Sequence, residues 1–178
     1  VLERHGARYS AHVRDESDRV FESVREAIDV ARETGVHTLI SHLKVAGLDN
    51  WGKAGRLIAE IESARREGVP VDCDQHPYDT GSFPLRNLLP AWVHEGGLGA
   101  MLDRLKDDTV RQRLLADIER DGLVNNGRIP SWDAVRVSIS PNQPELAGRS
   151  LGEIARERRR SAFDQVCDCI IADRGHMR

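Results

Sequence analysis

Ala31-Arg32-Glu33-Thr34-Gly35-Val36-His37-Thr38-Leu39-Ile40-Ser41-His42-Leu43-Lys44 is the stretch whose reading decides the fold. It leaves a charged, helix-forming end through a glycine and enters a short, continuously apolar run that closes on a histidine. An apolar run of this length behind a glycine reads as a strand buried on both faces, the habit of parallel sheets. The passage recurs downstream, where Ala64-Arg65-Arg66-Glu67-Gly68-Val69 leads into a strand over residues 69–75. Upstream, Gly6-Ala7-Arg8-Tyr9-Ser10-Ala11-His12 supplies an earlier strand that ends on a histidine of its own.

Between these strands the apolar spacing changes to that of helices. Val20, Val24, Ala27, Ile28 and Ala31 recur on one helical face over 17–34, with Ser17 as N-cap and Gly35 as the stop. Ala54, Leu57, Ile58, Ile61 and Ala64 repeat the pattern over 53–67, ended by Gly68. Strand, helix, strand, helix, strand is the order of a parallel α/β sheet.

In such sheets, active sites gather at the carboxyl ends of the strands. His12, His42 and His76 all fall there, each after its strand's apolar residues. Imidazoles delivered by successive strands can share one metal ion, which makes His12 and His42 candidate ligands. Lys44 leaves the same strand end as His42. The charged run Arg14-Asp15-Glu16 follows His12 and reads as surface ion pairs, with a contact that orients the His12 ring as the alternative. His5, His37, His94 and His176 read as surface residues, and Trp51, Trp92 and Trp132 as packing residues.

Composition excludes several partner classes. The 178 residues carry 26 basic and 29 acidic side chains, interleaved to a net charge of −3, so no basic stripe exists to bind a nucleic acid backbone. No segment approaches the roughly 20 apolar residues that span a bilayer, and the first residues are too charged for a signal-peptide core. The chain reads as soluble and cytoplasmic. Cys73, Cys167 and Cys169 lack a disulfide spacing and suit reduced thiols. Cys167-Asp168-Cys169 has one intervening residue where zinc knuckles have at least two, and it reads as helix packing.

Beyond Pro77 the character changes. Asp79-Thr80-Gly81-Ser82 is loop chemistry, and residues 85–92 form an irregular, partly buried stretch around Pro84 and Pro90. A helix follows over 99–119, interrupted near Asp107-Asp108. Asp121-Gly122 and Asn125-Asn126-Gly127 read as turns. Residues 132–139 alternate, with Val135, Val137 and Ile139 on one face, and predict a strand. Helices are expected over 150–157, capped by Ser150, and over 161–172. Ser82 lies in a Gly-Ser loop where a turn role is ordinary.

Several segments, in order, resemble the N-acyl-D-amino-acid deacylases, or D-aminoacylases, of the amidohydrolase superfamily. They are Tyr9-Ser10-Ala11-His12-Val13-Arg14-Asp15-Glu16, Ile40-Ser41-His42-Leu43-Lys44-Val45-Ala46-Gly47 with Asn50-Trp51-Gly52-Lys53, and Asp74-Gln75-His76-Pro77-Tyr78. Leu89-Pro90-Ala91-Trp92 with Gly96-Gly97, and Gly148-Arg149-Ser150-Leu151-Gly152-Glu153-Ile154-Ala155, extend the likeness over nearly the whole chain. The resemblance implies part of a TIM-type (β/α)8 barrel, with 1–77 as the units around strands five to seven and 78–178 as an inserted irregular segment of the same catalytic domain. It implies zinc held by His12 and His42, and an N-acyl-D-amino-acid substrate contacted by Lys44, His76 and Ser82. Such enzymes hydrolyse the amide to a free D-amino acid and a carboxylate. His76 stands where the family usually has tyrosine.

The family's early His-x-His motif and cysteine ligand are expected upstream of Val1. Its catalytic aspartate and carboxylate-binding arginine are expected downstream of Arg178, so the chain reads as a central fragment. Two alternatives stay open: a cyclic-amide hydrolase of the hydantoinase or dihydroorotase kind, and a noncatalytic remnant.

Overall fold

The structure, a computed structural model, describes residues 2–178. Its contacts divide the chain into two compact units, residues 1–79 with 126–128, and the remainder.

The first unit is built on strands β1 (Tyr9–Ala11), β2 (Thr38–Ile40) and β3 (Val71–Cys73), joined by helices α1 (Val20–Thr34) and α2 (Ala54–Arg66). The strands are parallel in the order β1-β2-β3, with Ala11 opposite Ile40 and Ile40 opposite Cys73. The expected strand-helix alternation is therefore present, in strands shorter than the apolar runs. Val20, Val24, Ala27, Ile28 and Ala31 of α1 meet Leu57, Ile61 and Ala64 of α2 and Ile40 and Val71 of the sheet in one core. Gly35 and Gly68 end the helices with positive φ of 67° and 84°, and their amides bond to Ala31 and Arg65 carbonyls. A side chain at either place would be strained.

Some expectations fail for local reasons. Ser17 does not cap α1, which begins at Val20. The Ser17 hydroxyl donates to the Asp15 carboxylate instead, and that carboxylate accepts from the amides of Ser17 and Arg19. Burial by itself would raise the Asp15 carboxyl, but these hydrogen bonds together hold it below its ordinary value. Ile58 is half exposed and Trp51 protrudes, 74% exposed, so neither joins the core. On β1 only Ala11 is buried, so burial on both faces does not extend to that strand.

The second unit contains α3 (Gly97–Arg104), α4 (Asp108–Asp121), α5 (Leu151–Glu157) and α6 (Ala162–Ala172). Its core includes Val93, Met101, Leu105, Leu114, Leu151, Ile154, Phe163, Val166 and Ile170. The expected interruption near Asp107 is real, since its carboxylate caps α4 through the amides of Thr109 and Val110. Ser150 caps α5 in a reciprocal box with Glu153, and Ser161 caps α6. Cys167 and Cys169 are buried in the core, as packing predicted, and burial pushes the Cys167 thiol up to about 12.

No strand forms over 132–139. Trp132–Ala134 is a 3-10 turn, and the extended backbone beyond it makes one isolated bridge, Arg136 to Ser150. Val135 and Val137 are buried as the alternation requires, but Ile139 is 56% exposed. The amides of Ser138 and Ile139 turn to the Arg178 carbonyl, so the segment changes partner before a ladder can form. A short hairpin, β4 (Leu123–Val124) and β5 (Arg128–Ile129), was not anticipated; two residues per strand carry no periodicity. Among the described residues no helix is long and apolar enough to cross a membrane.

Candidate metal centre

In-register parallel strands deliver the residues that follow them to one edge of the sheet. His12 follows Ala11 directly, level with Ser41, whose amide bonds to the Ala11 carbonyl. Strict alternation would send His42 to the opposite face from His12. The backbone avoids this at His42, which adopts a left-handed φ of 42°. Asp74 holds the turn, because its carboxylate accepts from the His42 amide and its carbonyl accepts from the Leu43 amide. Left-handed backbone is uncommon outside glycine and collects at functional sites.

The turn brings the two rings together. His12 Nδ1 lies 2.9 Å from His42 Nε2, with ring centroids 4.6 Å apart. The His12 side chain is 65% exposed and that of His42 is 27% exposed, so the pair opens to solvent on one side. Glu16 completes the group from beneath. Its side chain is only 4% exposed, with Oε1 at 2.9 Å from His42 Nδ1 and 3.7 Å from His12 Nδ1. His12, Glu16 and His42 each offer a ligand atom, and these lie within 4.8 Å of one another.

Glu16 is the functional residue that the sequence reading offered only as an alternative, within a charged run able to orient the His12 ring. Of the charged run read as surface ion pairs, only Arg14 behaves so, bonding to exposed Glu26 at 2.6 and 3.1 Å. Glu16 is buried because four groups satisfy it. Lys44 Nζ and the Asn126 side-chain amide donate to its carboxylate, its own amide donates to Asn126 Oδ1 at 3.3 Å, and its carbonyl accepts from Ala46. Asn126 reaches it because the chain at Gly127 lies against Gly47. A methyl group added at Gly127 would sit 2.6 Å from the Gly47 Cα.

The other sequence candidates divide. Lys44 joins the group, one-third exposed, with Nζ also 3.3 Å from the His42 carbonyl. His76 lies beside it, its ring 5.7 Å from that of His42 and stacked on Tyr78 at 5.0 Å. Ser82 is exposed, belongs to the second unit, and makes no side-chain hydrogen bond among the described residues. Of the histidines read as surface residues, His37 and His94 depart: both are half-buried, and His37 pairs with Asp72 at 3.0 Å.

The donor set suits zinc. Bonds of about 2.0–2.1 Å in a tetrahedron set ligand nitrogens about 3.3 Å apart. The imidazole nitrogens at 2.9 Å need only a small outward rotation, and the exposed His12 ring has room for it.

In sequence and fold the chain is similar to amidohydrolases, and within that class to deacylases of N-acyl-D-amino acids. It is 40% identical to the N-acyl-D-glutamate deacylase of Alcaligenes xylosoxydans xylosoxydans over 155 residues, which are 87% of this chain and 24% of that protein. A crystal structure of N-acyl-D-glutamate deacylase from Bordetella bronchiseptica, complexed with zinc and a phosphonate mimic of the tetrahedral intermediate, matches in fold with a TM-score of 0.60. That match has 24% identity and covers 93% of this chain and 27% of that one. A D-aminoacylase structure described as defining a novel subset of amidohydrolases matches at 28% identity and a TM-score of 0.58, covering 94% and 27%. The chain thus spans about a quarter of the length of these relatives. No family model matches the chain.

Proposed function

We propose that this chain forms part of a zinc-dependent N-acyl-D-amino-acid deacylase. In this reading β1, β2 and β3 are the fifth to seventh strands of a (β/α)8 barrel, and residues 78–178 are an inserted segment of the same catalytic domain. The observation that carries it is the convergence of His12 Nδ1 and His42 Nε2 at 2.9 Å on the carboxyl edge of parallel strands.

His12 and His42 hold the ion. When bound, zinc supplies polarisation of the scissile carbonyl and activation of water near neutral pH. The chain's own residues orient the substrate. Lys44 spends donors on Glu16 and on the His42 carbonyl, and a third N–H remains for the carboxylate of an acyl-amino acid. His76, stacked on Tyr78, lines the approach and donates where the family has tyrosine. For Ser82 the assignment to the substrate rests on the resemblance alone. The aspartate that moves the proton lies outside these residues.

Metal analysis tests the ligand assignment. The expected result is stoichiometric zinc in the protein that carries this chain and a loss of zinc in His12→Ala and His42→Ala, whereas zinc unchanged in both variants overturns it. Substrate class is tested on the protein that carries this chain, with N-acetyl-D-glutamate, its L-enantiomer and a hydantoin. Release of the D-amino acid alone is expected, and turnover of the hydantoin instead moves the assignment to the cyclic-amide hydrolases.

A further inference from the structure

Glu16 divides its two carboxylate oxygens between two tasks. Oε2 accepts from the Asn126 side chain, whose Oδ1 in turn accepts from the Glu16 amide at 3.3 Å, a reciprocal pair that fixes the side chain. Oε1 is left to face the centre, where it meets Lys44 Nζ and lies 2.9 Å from His42 Nδ1. The other nitrogen of that ring, Nε2, is the one turned toward His12.

A neutral imidazole carries one proton, and the hydrogen bond at one nitrogen decides which form is present. Two neighbours compete at His42 Nδ1. Lys44 Nζ, at 3.1 Å, can only donate and would require a bare Nδ1. Glu16 Oε1 can only accept and requires Nδ1–H. The acceptor wins on charge and on the shorter separation, 2.9 against 3.1 Å: a carboxylate strengthens the bond it accepts, and Lys44 already points donors at Glu16 and at the His42 carbonyl.

We propose that Glu16, seated by Asn126, is a positioning residue that holds His42 in its Nδ1–H form, so that the Nε2 lone pair faces the ion. The same oxygen neutralises Lys44 and keeps its ammonium beside the His42 carbonyl. This inference rests on the deacylase reading for the identity of the ion, but not for the state of the ring. Carboxylate partners of this kind typically change metal affinity by about 10–100-fold when removed.

The test reads nitrogen-15 shifts of the His42 ring in the metal-free chain, together with zinc affinity by chelator competition. The wild-type spectrum is expected to show protonated Nδ1 and bare Nε2. Glu16→Gln keeps the shape and should weaken zinc by about 10–100-fold, and Glu16→Leu should move the proton to Nε2. A wild-type ring protonated on Nε2 overturns the proposal without any variant. So does a Glu16→Gln chain that loses zinc as completely as His12→Ala, which would make Glu16 a ligand, or one that binds zinc unchanged. If the wild type binds no zinc, the metal assignment fails while the ring spectrum still decides the role of Glu16.

Discussion

Gly127→Ala should destabilise the first unit well beyond what its backbone conformation alone would cost. The added methyl would lie 2.6 Å from the Gly47 Cα, 2.8 Å from its nitrogen and 2.9 Å from the Ala46 oxygen. Apolar contact is comfortable near 3.5–4.0 Å, so the overlap is about 1 Å, against backbone that has no rotamer to change. Overpacking of this kind costs about 1–3 kcal/mol. The φ of 101° adds about 1–2 kcal/mol for any residue with a Cβ. If the 126–128 segment swings away instead, the Asn126 bond to the Glu16 carboxylate is lost, at about 1.5–3 kcal/mol. Either route totals about 2–5 kcal/mol. Gly52→Ala is the control, because φ there is 85° but nothing lies within 4 Å. It should cost only the backbone part, about 1–2 kcal/mol. Urea unfolding followed on the amide signals of Thr38 and Ser41 should separate the two variants by about 1 M in midpoint, at a slope of about 2 kcal/mol/M. Equal midpoints would refute the glycine-on-glycine contact and with it the seating of Asn126.

Removing the cation from the Glu16 pair should cost more than removing both charges. Lys44→Met strands a buried carboxylate and should lose about 2–3 kcal/mol, discounted from the fully buried case because Lys44 is one-third exposed. The Lys44→Met, Glu16→Gln double variant should recover part of that loss, and strict additivity in denaturant melts would contradict the coupling. Thiol titration of the native chain should find Cys73 reacting first. Cys167, pushed up to about 12 by burial, and buried Cys169 should react only after denaturation. Asp15 sits below its ordinary value when folded, so its contribution is fully present above the unfolded value near 3.8 and is lost as pH falls through the folded one. Asp15→Asn should therefore flatten the acid limb of the stability profile, and an unchanged limb would count against its role in binding the turn before α1.

The first unit was legible because its signals are local. The helical spacing of Val20 to Ala31 and Leu57 to Ala64, closed by Gly35 and Gly68, needs no knowledge of what the helices pack against. The short segments at Thr38–Ile40 and Val71–Cys73 leave room for nothing but strands between such helices. Residues 132–139 failed for the complementary reason. Alternation reports an extended backbone with one buried face, which Val135 and Val137 have, but a strand also needs a partner of constant register. That partner is divided between Arg149 and Arg178, both remote in sequence.

The site shows the same boundary at the scale of single residues. Arg14, Asp15 and Glu16 are consecutive charges with different fates: an exposed ion pair, a carboxylate binding the turn before α1, and a buried acid. Composition treats them alike. What separates them is the direction each side chain takes as the chain leaves β1, and, for Glu16, an asparagine 110 residues away. Part of this was nevertheless readable. Parallel strands in register deliver their following residues to a common edge, so an acid four residues past His12 and a lysine two past His42 are brought to the same place. Opposite charges so placed are candidates for each other before either is assigned to solvent. Applied to β1 and β2, that rule selects Glu16 with Lys44 and leaves Arg14 for Glu26 on the adjoining helix, which is the arrangement found.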